Sequence, residues 1–424
     1  MSRIEHPSPF HVFSGSEIEA LESVIVHRPE RGIARVYPRR SEEFLFDDIV
    51  HLPQIEQVHD IFVAVLRKAC GDQSVLYIHD LLVQALDQDK QAKDSIIRQI
   101  IDFEELPTKY LSELCRLDNR SLADSLISGY LMAQDLILFD PIPNFIFTRD
   151  IAVTIKDHVV LTKASKMARH RENFLTQFIF LTHPIFDNLR EKDRLINMND
   201  VERFPRSRRG ESVSIEGGDM MLFAENHLLI GCSERTTQHA VHSLRDVLFE
   251  KGIVDNVVQV NIPSDRAYMH IDTVFTRISA DHMVCYRPLI YDGLSSYVTV
   301  YRRNGSEANY HSVKEFVEGE INSQMKFIFA GQGLSPYQER EQWTDGCNLV
   351  TLKPGVAITY DRNIRTLLAL EDAGYSIVSA EQFLQDEKPF EDIERTIITI
   401  PSSELSRARG GSHCLTLPLR RRKA

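Results

Sequence analysis

One layout recurs four times along this chain: an acidic residue in a loop, two β-branched segments joined by a short polar turn, then an amphipathic segment. Asp150 leads into residues 151–156, the turn Asp157-His158, and 159–163. Asp219 leads into 220–224, Glu225-Asn226 and 227–231. Asp272 leads into 273–279, a turn at 280–282 and 283–287, and Asp345 into 348–352, Lys353-Pro354-Gly355 and 356–360. Each pair reads as a β-hairpin. Residues 173–181, 238–249, 312–321 and 363–372 then carry apolar side chains at helical spacing. Short hydrophobic strands follow three of these, at 257–262, 327–330 and 376–378. A strand-strand-helix-strand unit cannot bury its own faces, so such units must stack in a row or a ring. Strands at 23–27 and 414–417 read as halves of a fifth unit. Joining them would remove two exposed sheet edges, which favours the ring.

Between 81 and 134 the pattern changes. Residues 95–103, 108–116 and 121–132 read as amphipathic helices without strand signals. The expected organisation is a repeat domain formed by 1–80 and 135–424, with a helical insertion at 81–134 serving as scaffold or oligomer contact. A chain of 424 residues is long enough for this. A net charge of −12 excludes a nucleic-acid surface, and the basic run Arg420 to Lys423 reads as a solvated tail. No stretch suits a membrane span, and residues 1–17 lack the apolar core of a signal peptide. Six scattered cysteines without CxxC spacing fit neither a zinc site nor a secreted disulfide framework. A reducing cytoplasm is the expected compartment, and a homo-oligomer is left open.

In a ring, the loops that start the hairpins converge. Phe147-Thr148-Arg149-Asp150, Glu216-Gly217-Gly218-Asp219, His270-Ile271-Asp272 and Arg409-Gly410-Gly411-Ser412-His413-Cys414 would then share one pocket. Carboxylates crowded in a partly dry cavity repel one another unless a cation joins them. A guanidinium meets that need, being planar, permanently charged and able to pair two hydrogen bonds at a time. Its central carbon yields to a strong nucleophile such as the Cys414 thiolate. His270 would carry protons. His413, next to Cys414 on an extended strand, would point away from the sulfur. His270-x-Asp272 lacks further ligands at suitable spacing, so no metal is expected.

At these residues the chain resembles the arginine deiminases, members of the guanidine-modifying superfamily. The similarity runs almost end to end: Val26-His27-Arg28-Pro29, Leu45-Phe46-Asp47-Asp48, Pro143-Asn144, Glu234-Arg235-Thr236-Thr237, Met269 to Phe275, Arg340-Glu341-Gln342-Trp343, Tyr360-Asp361-Arg362-Asn363 and the terminal cysteine motif. The resemblance implies an α+β fold, a five-fold pseudosymmetric β/α propeller of ββαβ repeats with an inserted helical domain. It implies hydrolysis of L-arginine to L-citrulline and ammonia through a covalent cysteine thiouronium, without cofactor. Cys414 would be the nucleophile, His270 and Glu216 would manage protons, and Asp150 and Asp272 would grip the guanidinium. Phe147 would pack on the substrate stem and Asn144 would serve its α-amino end. Arg169 and Arg235 would face the α-carboxylate, Arg409 would sit on a mobile loop, and Asp219 would complete the substrate site. The sequence departs from the pattern at Ser412, where glycine is usual, and at Cys347 and Leu367, where asparagine is usual. Amidino transfer, hydrolysis of another guanidine, or arginine binding without catalysis are the alternatives.

Overall fold

The β-branched runs form the hairpins that their alternation requires, and each gains a third strand after a helix. The computed structural model of the chain describes residues 10–46 and 48–423. Residues 1–9, Asp47 and Ala424 lie outside it, and with them most of the stretch read for a signal segment and part of the Leu45 to Asp48 motif.

In the first sheet Ala152–Ile155 pairs antiparallel with His158–Leu161. Leu195–Asn197 then returns parallel after the helix His170–Thr182. The second sheet uses Met220–Ala224, His227–Cys232 and Asn256–Asn261 in the same way. The third uses Phe275–Arg277, His282–Cys285 and Lys326–Phe329. The fourth begins with Val350–Lys353 and Val356–Tyr360. In the fifth, Leu417–Arg422 runs antiparallel to Ala20–Val26, which is parallel to Val75–Tyr77 across the helix Leu52–Cys70. The two ends of the chain thus share one sheet.

Several elements differ from the sequence reading. Leu195–Asn197 and Val75–Tyr77 are strands of three residues each, too short to display a period. In the fourth sheet the expected strand lies at the edge as Ser376–Ser379. The fully buried Thr396–Ile400 takes the inner place beside Val356–Tyr360. A hairpin, Tyr297–Arg302 with Glu307–Tyr310, widens the second sheet. The expected helix at 312–321 splits into Val313–Phe316 and a π-turn, Val317–Ile321. The last strand starts at Leu417, so Cys414 lies in a turn and not on a strand.

The helix Leu52–Cys70 buries Ile55, Val58, Phe62, Val65 and Leu66 against strand residues Val24 and Val26. Each such side chain stabilises the fold by roughly 1.5–3 kcal/mol. Between the fifth and first sheets, Lys90–Phe103 and Asn119–Ser128 start at Asp89 and Asp118, whose carboxylates accept backbone N–H groups as N-caps. With Lys109–Arg116 they send Ile97, Ile100, Leu114, Leu122 and Leu126 into the core that also holds Ile151, Leu175 and Ile179. Among the described residues, no helix is long and apolar enough to cross a membrane.

Candidate active site

Each of the five larger sheets is entered through a loop, and hydrogen bonds tie these five loops into a closed cycle. Gly217 N donates to Asp150 O (3.1 Å) and Gly218 N to Asp150 Oδ1 (3.2 Å). Ile271 N donates to Asp219 Oδ1 (3.0 Å), and Asn348 Nδ2 to Asp272 O (3.0 Å). Cys414 N donates to Asn348 Oδ1 (3.2 Å), and Arg149 N returns to Cys414 O (3.0 Å). Backbone groups paired this way need no water, so the loops can meet in a buried centre.

The paired glycines follow from this closeness. A Cβ on Gly217 would lie 1.9 Å from Arg149 O, and one on Gly218 would lie 2.6 Å from His270 Nδ1. Gly218→Ala should therefore displace the imidazole and lower kcat by roughly 10²-fold, the usual cost of misplacing a reacting group by about an ångström. Steady-state assay beside thermal melting checks this, with activity falling far more than the melting temperature. Unchanged turnover would mean that His270 is not held for catalysis.

The Cys414 sulfur accepts from Asn348 Nδ2 at 3.2 Å and lies 3.5 Å from Asp272 Oδ2. Burial, reinforced by the charges of Asp272, Asp150 and Asp345, pushes the thiol well above its ordinary pKa. His270 Nε2 donates to Glu216 Oε2 at 2.9 Å, while Nδ1 lies 3.7 Å from Asp150 Oδ1. Burial disfavours the imidazolium, but Asp150, Glu216 and Asp219 together outweigh it and hold its pKa near 10. Glu216 is buried, which opposes its charge, yet the His270 hydrogen bond with Arg169 and Arg235 holds it well below the usual carboxylate range. The resting pair is thus imidazolium and carboxylate.

Asn144, Phe147, Asp150, Arg169, Glu216, Arg235, His270, Arg409 and Cys414 line one narrow cavity, together with Leu45, Met269 and Thr273. A larger cavity of about 530 Å³, lined by His27, Arg28, Glu30, His79 and Asp124 among others, contains no thiol and none of these groups. Phe147 packs so tightly on the nucleophile loop that a Cβ on Gly410 would lie 2.2 Å from its ring. Asn144 Nδ2 donates to Phe44 O (2.6 Å). The Arg409 guanidinium lies 3.4 Å over the Trp343 ring, on a residue with φ 61°. Arg235 is buried with Nη2 3.5 Å from Met269 Sδ.

Two placements differ from the sequence reading. Asp219 lies behind the cavity wall, accepting from Ser233 Oγ (2.6 Å) and Ile271 N (3.0 Å). It shapes the His270 loop and does not reach the cavity. Arg169 donates through Nη1 to Asp150 Oδ2 (2.7 Å) and Glu216 Oε2 (3.4 Å), and through Nε to Glu172 Oε2 (2.9 Å). In this structure its guanidinium balances the carboxylates. The ligand atoms of Asp150, Glu216 and His270 lie within 4.8 Å of one another, the spacing of a metal triad. Arg169 already supplies a cation to both acids, and His270 donates to one of them.

His413 faces a separate, nearly filled space with Glu17, Phe223 and Arg277, because residues 412–415 form a turn; strand alternation is not the reason. Its Nδ1 nevertheless bonds the same Asp272 oxygen that neighbours the sulfur. Ser412, where glycine is usual, is locked in place: Oγ donates to Ile358 O (2.6 Å) and accepts from Val350 N (3.0 Å). The sequence reading missed Asn348, although its place in the fourth loop, directly before a hairpin, was a usable signal. It also gave Asp345 no chemistry. This residue is buried at φ 63°, accepts from the Gly410 backbone, and is pushed up to about 7 by burial.

A family model described as arginine deiminase matches residues 42–136 and 118–421. An arginine deiminase of Limosilactobacillus reuteri (strain DSM 20016) is 32% identical over 438 residues, covering 97% of this chain and 98% of that protein. The arginine deiminase of Borrelia garinii subsp. bavariensis is also 32% identical, over 445 residues, with 97% and 98% covered. Among solved structures, an amidinotransferase from Microseira wollei, SxtG, superposes with TM-score 0.53 at 14% identity, covering 97% of this chain and 98% of that one. The N-terminal domain of ArgZ, a cyanobacterial arginine dihydrolase, gives TM-score 0.51 at 15% identity, with 95% and 98% covered. These last two speak for the fold alone.

Proposed function

The chain belongs to the arginine deiminase family, and from that premise we propose that it hydrolyses the guanidinium of L-arginine to give L-citrulline and ammonia. The observation that carries this reading is the Cys414 thiol lying against Asp272 in a cavity that also holds the His270–Glu216 pair and Asp150.

Asp150 and Asp272 take the substrate's N–H groups. Asp272 Oδ1 is buried and without a hydrogen-bond partner, and a guanidinium beside the sulfur would supply one. The incoming positive charge offsets the carboxylates that hold the thiol protonated, so substrate binding itself favours the thiolate, and the thiol proton is released to solvent. Sulfur attacks the guanidinium carbon. His270 gives its proton to the departing amine, which leaves as ammonia, and the sulfur remains bonded to a planar thiouronium. His270, now neutral and oriented by Glu216, takes a proton from water; the hydroxide adds to the carbon, and collapse expels the sulfur, which takes up the hydroxyl proton and returns to the thiol as citrulline is freed. One water enters and one ammonia leaves, a balance that needs no cofactor.

Phe147 packs on the substrate stem, Asn144 serves the α-amino end, and Arg235 and Arg409 face the α-carboxylate. Arg169 joins them by giving up part of its Asp150 contact. We read the five sheets as blades of a closed ring, supported by the loop-to-loop cycle and by the sheet that joins both chain ends, with 81–134 as a helical insertion. All six cysteines are free thiols, which suits a cytoplasmic enzyme.

Mass-resolved product analysis after incubation with isotopically labelled L-arginine alone tests the activity. Citrulline with one ammonia is expected. Ornithine formed only when an amine acceptor is added would mean amidino transfer, and ornithine with a second ammonia would mean that hydrolysis continues past citrulline. Binding without product would leave an arginine-binding protein.

A further inference from the structure

Asp272 is fully buried, and its two carboxylate oxygens have unequal surroundings. Oδ2 accepts from His413 Nδ1 at 2.9 Å and lies 3.5 Å from the Cys414 sulfur, while Oδ1 has no partner. On the far side of the same ring, His413 Nε2 lies 3.3 Å from Glu17 Oε2, and Glu17 is in turn paired with the buried Arg149. Arg149 N is the group that bonds Cys414 O. The chain Arg149, Glu17, His413, Asp272 therefore begins and ends at the nucleophile; none of the four is among the residues that line the cavity, and Asp272 meets it behind the Cys414 sulfur.

We propose that His413 is a positioning residue for the guanidinium site: by occupying Oδ2 of Asp272, and being braced by Glu17, it turns the carboxylate so that Oδ1 is left for the substrate. This rests on the arginine hydrolase reading and extends it to groups behind the cavity. Three features support it. A buried carboxylate with neither oxygen engaged would rotate or take up a proton, and one with both engaged would offer the substrate fewer free lone pairs. Burial alone would raise the Asp272 carboxyl, yet the hydrogen bond and charge of His413 leave it lowered. The ring also cannot drift, because Asn348 Oδ1 accepts from His413 N at 3.1 Å and Glu17 fixes the other nitrogen.

The role separates charge recognition from general packing, and so does its test. In the turnover-dead Cys414→Ala protein, calorimetric affinities for L-arginine and for L-citrulline are compared with and without His413→Ala. Arginine needs the ionised Asp272 and should bind roughly tenfold to a hundredfold more weakly, the range expected when a charge-assisted hydrogen bond is lost. Citrulline carries a neutral urea and should bind within about threefold of the parent, a difference under 1 kcal/mol. His413→Asn keeps a donor near the Nδ1 position and should restore most of the arginine affinity. Equal weakening of both ligands without rescue by asparagine would reduce His413 to a structural residue and overturn the proposal, as would unchanged arginine binding. A parent protein that binds neither ligand would sink the arginine hydrolase reading instead. If His413→Ala fails to fold, nitrogen-15 spectra of the wild-type histidines decide: Nδ1 of His413 must carry a proton, and an unprotonated Nδ1 contradicts the assignment.

Discussion

Cys414→Ser stops ammonia release from L-arginine, lowering kcat by roughly 10⁴-fold or more, as when other covalent catalysts lose their nucleophile. Arginine still binds, because the groups that hold it lie on other loops: Asp150 before the first sheet, Asp272 before the third, Arg235 after the second hairpin. Coupled ammonia assay and equilibrium dialysis read the two effects separately. Substrate-free Cys414 should also react slowly with iodoacetamide at neutral pH, since burial and three carboxylates keep the thiol protonated. A serine variant that turns over normally would leave the sulfur without a chemical role.

Removal of His270 has the next largest effect. His270→Ala should lose roughly 10²–10⁴-fold in kcat, the range for a general acid–base group. It should also change how stability depends on pH. The folded pKa of His270 is raised from 6.5 to about 10, so its protonation stabilises the fold fully below about 6.5, and that stability is lost as pH rises through about 10. The free-energy gap between wild type and His270→Ala, measured by urea unfolding, should therefore narrow between about pH 6.5 and pH 10. A gap that widened over that range would mean that Asp150 and Glu216 do not hold the charge on His270.

The repeat was legible because its hairpins are built from runs such as 152–161 and 220–231, whose alternation shows in the letters. The acidic loop residues were legible for the same reason: each stands immediately before such a run. Thr396–Ile400 escaped because a single short strand has no hairpin turn to announce it, even though its five residues are all buried. Ser376–Ser379, which carries an amphipathic neighbour and a strand-like composition, was visible, and it lies at the sheet edge outside Thr396–Ile400.

The site was read to the level of residue type and loop, and less well to the level of contacts. Asp219 directly follows the glycine pair after Glu216, so sequence proximity put it with the substrate; the turn Gly217–Asp219 instead rotates it onto Ser233 and Ile271 N. Arg169 was expected to face a carboxylate on the ligand, and in this structure it answers carboxylates of the protein. Buried acids take whichever cation is at hand. His413 was set aside by a strand rule that does not apply in the turn where it lies. Glu17 lies 397 positions from Cys414 in sequence order, and only the sheet that joins both ends brings it near.

Distant loops converging on one sulfur is the claim beneath all of this, and trapping the sulfur during turnover tests it most directly. Acid quench of the protein with L-arginine, followed by intact-mass and peptide analysis, should reveal a fraction heavier by arginine less ammonia, with the added mass on the peptide that contains Cys414. The adduct should vanish in Cys414→Ala and form far more slowly in His270→Ala, which lacks the proton for the departing amine. Citrulline formed with no such adduct, or with the mass on any of the other five cysteines, would contradict the account.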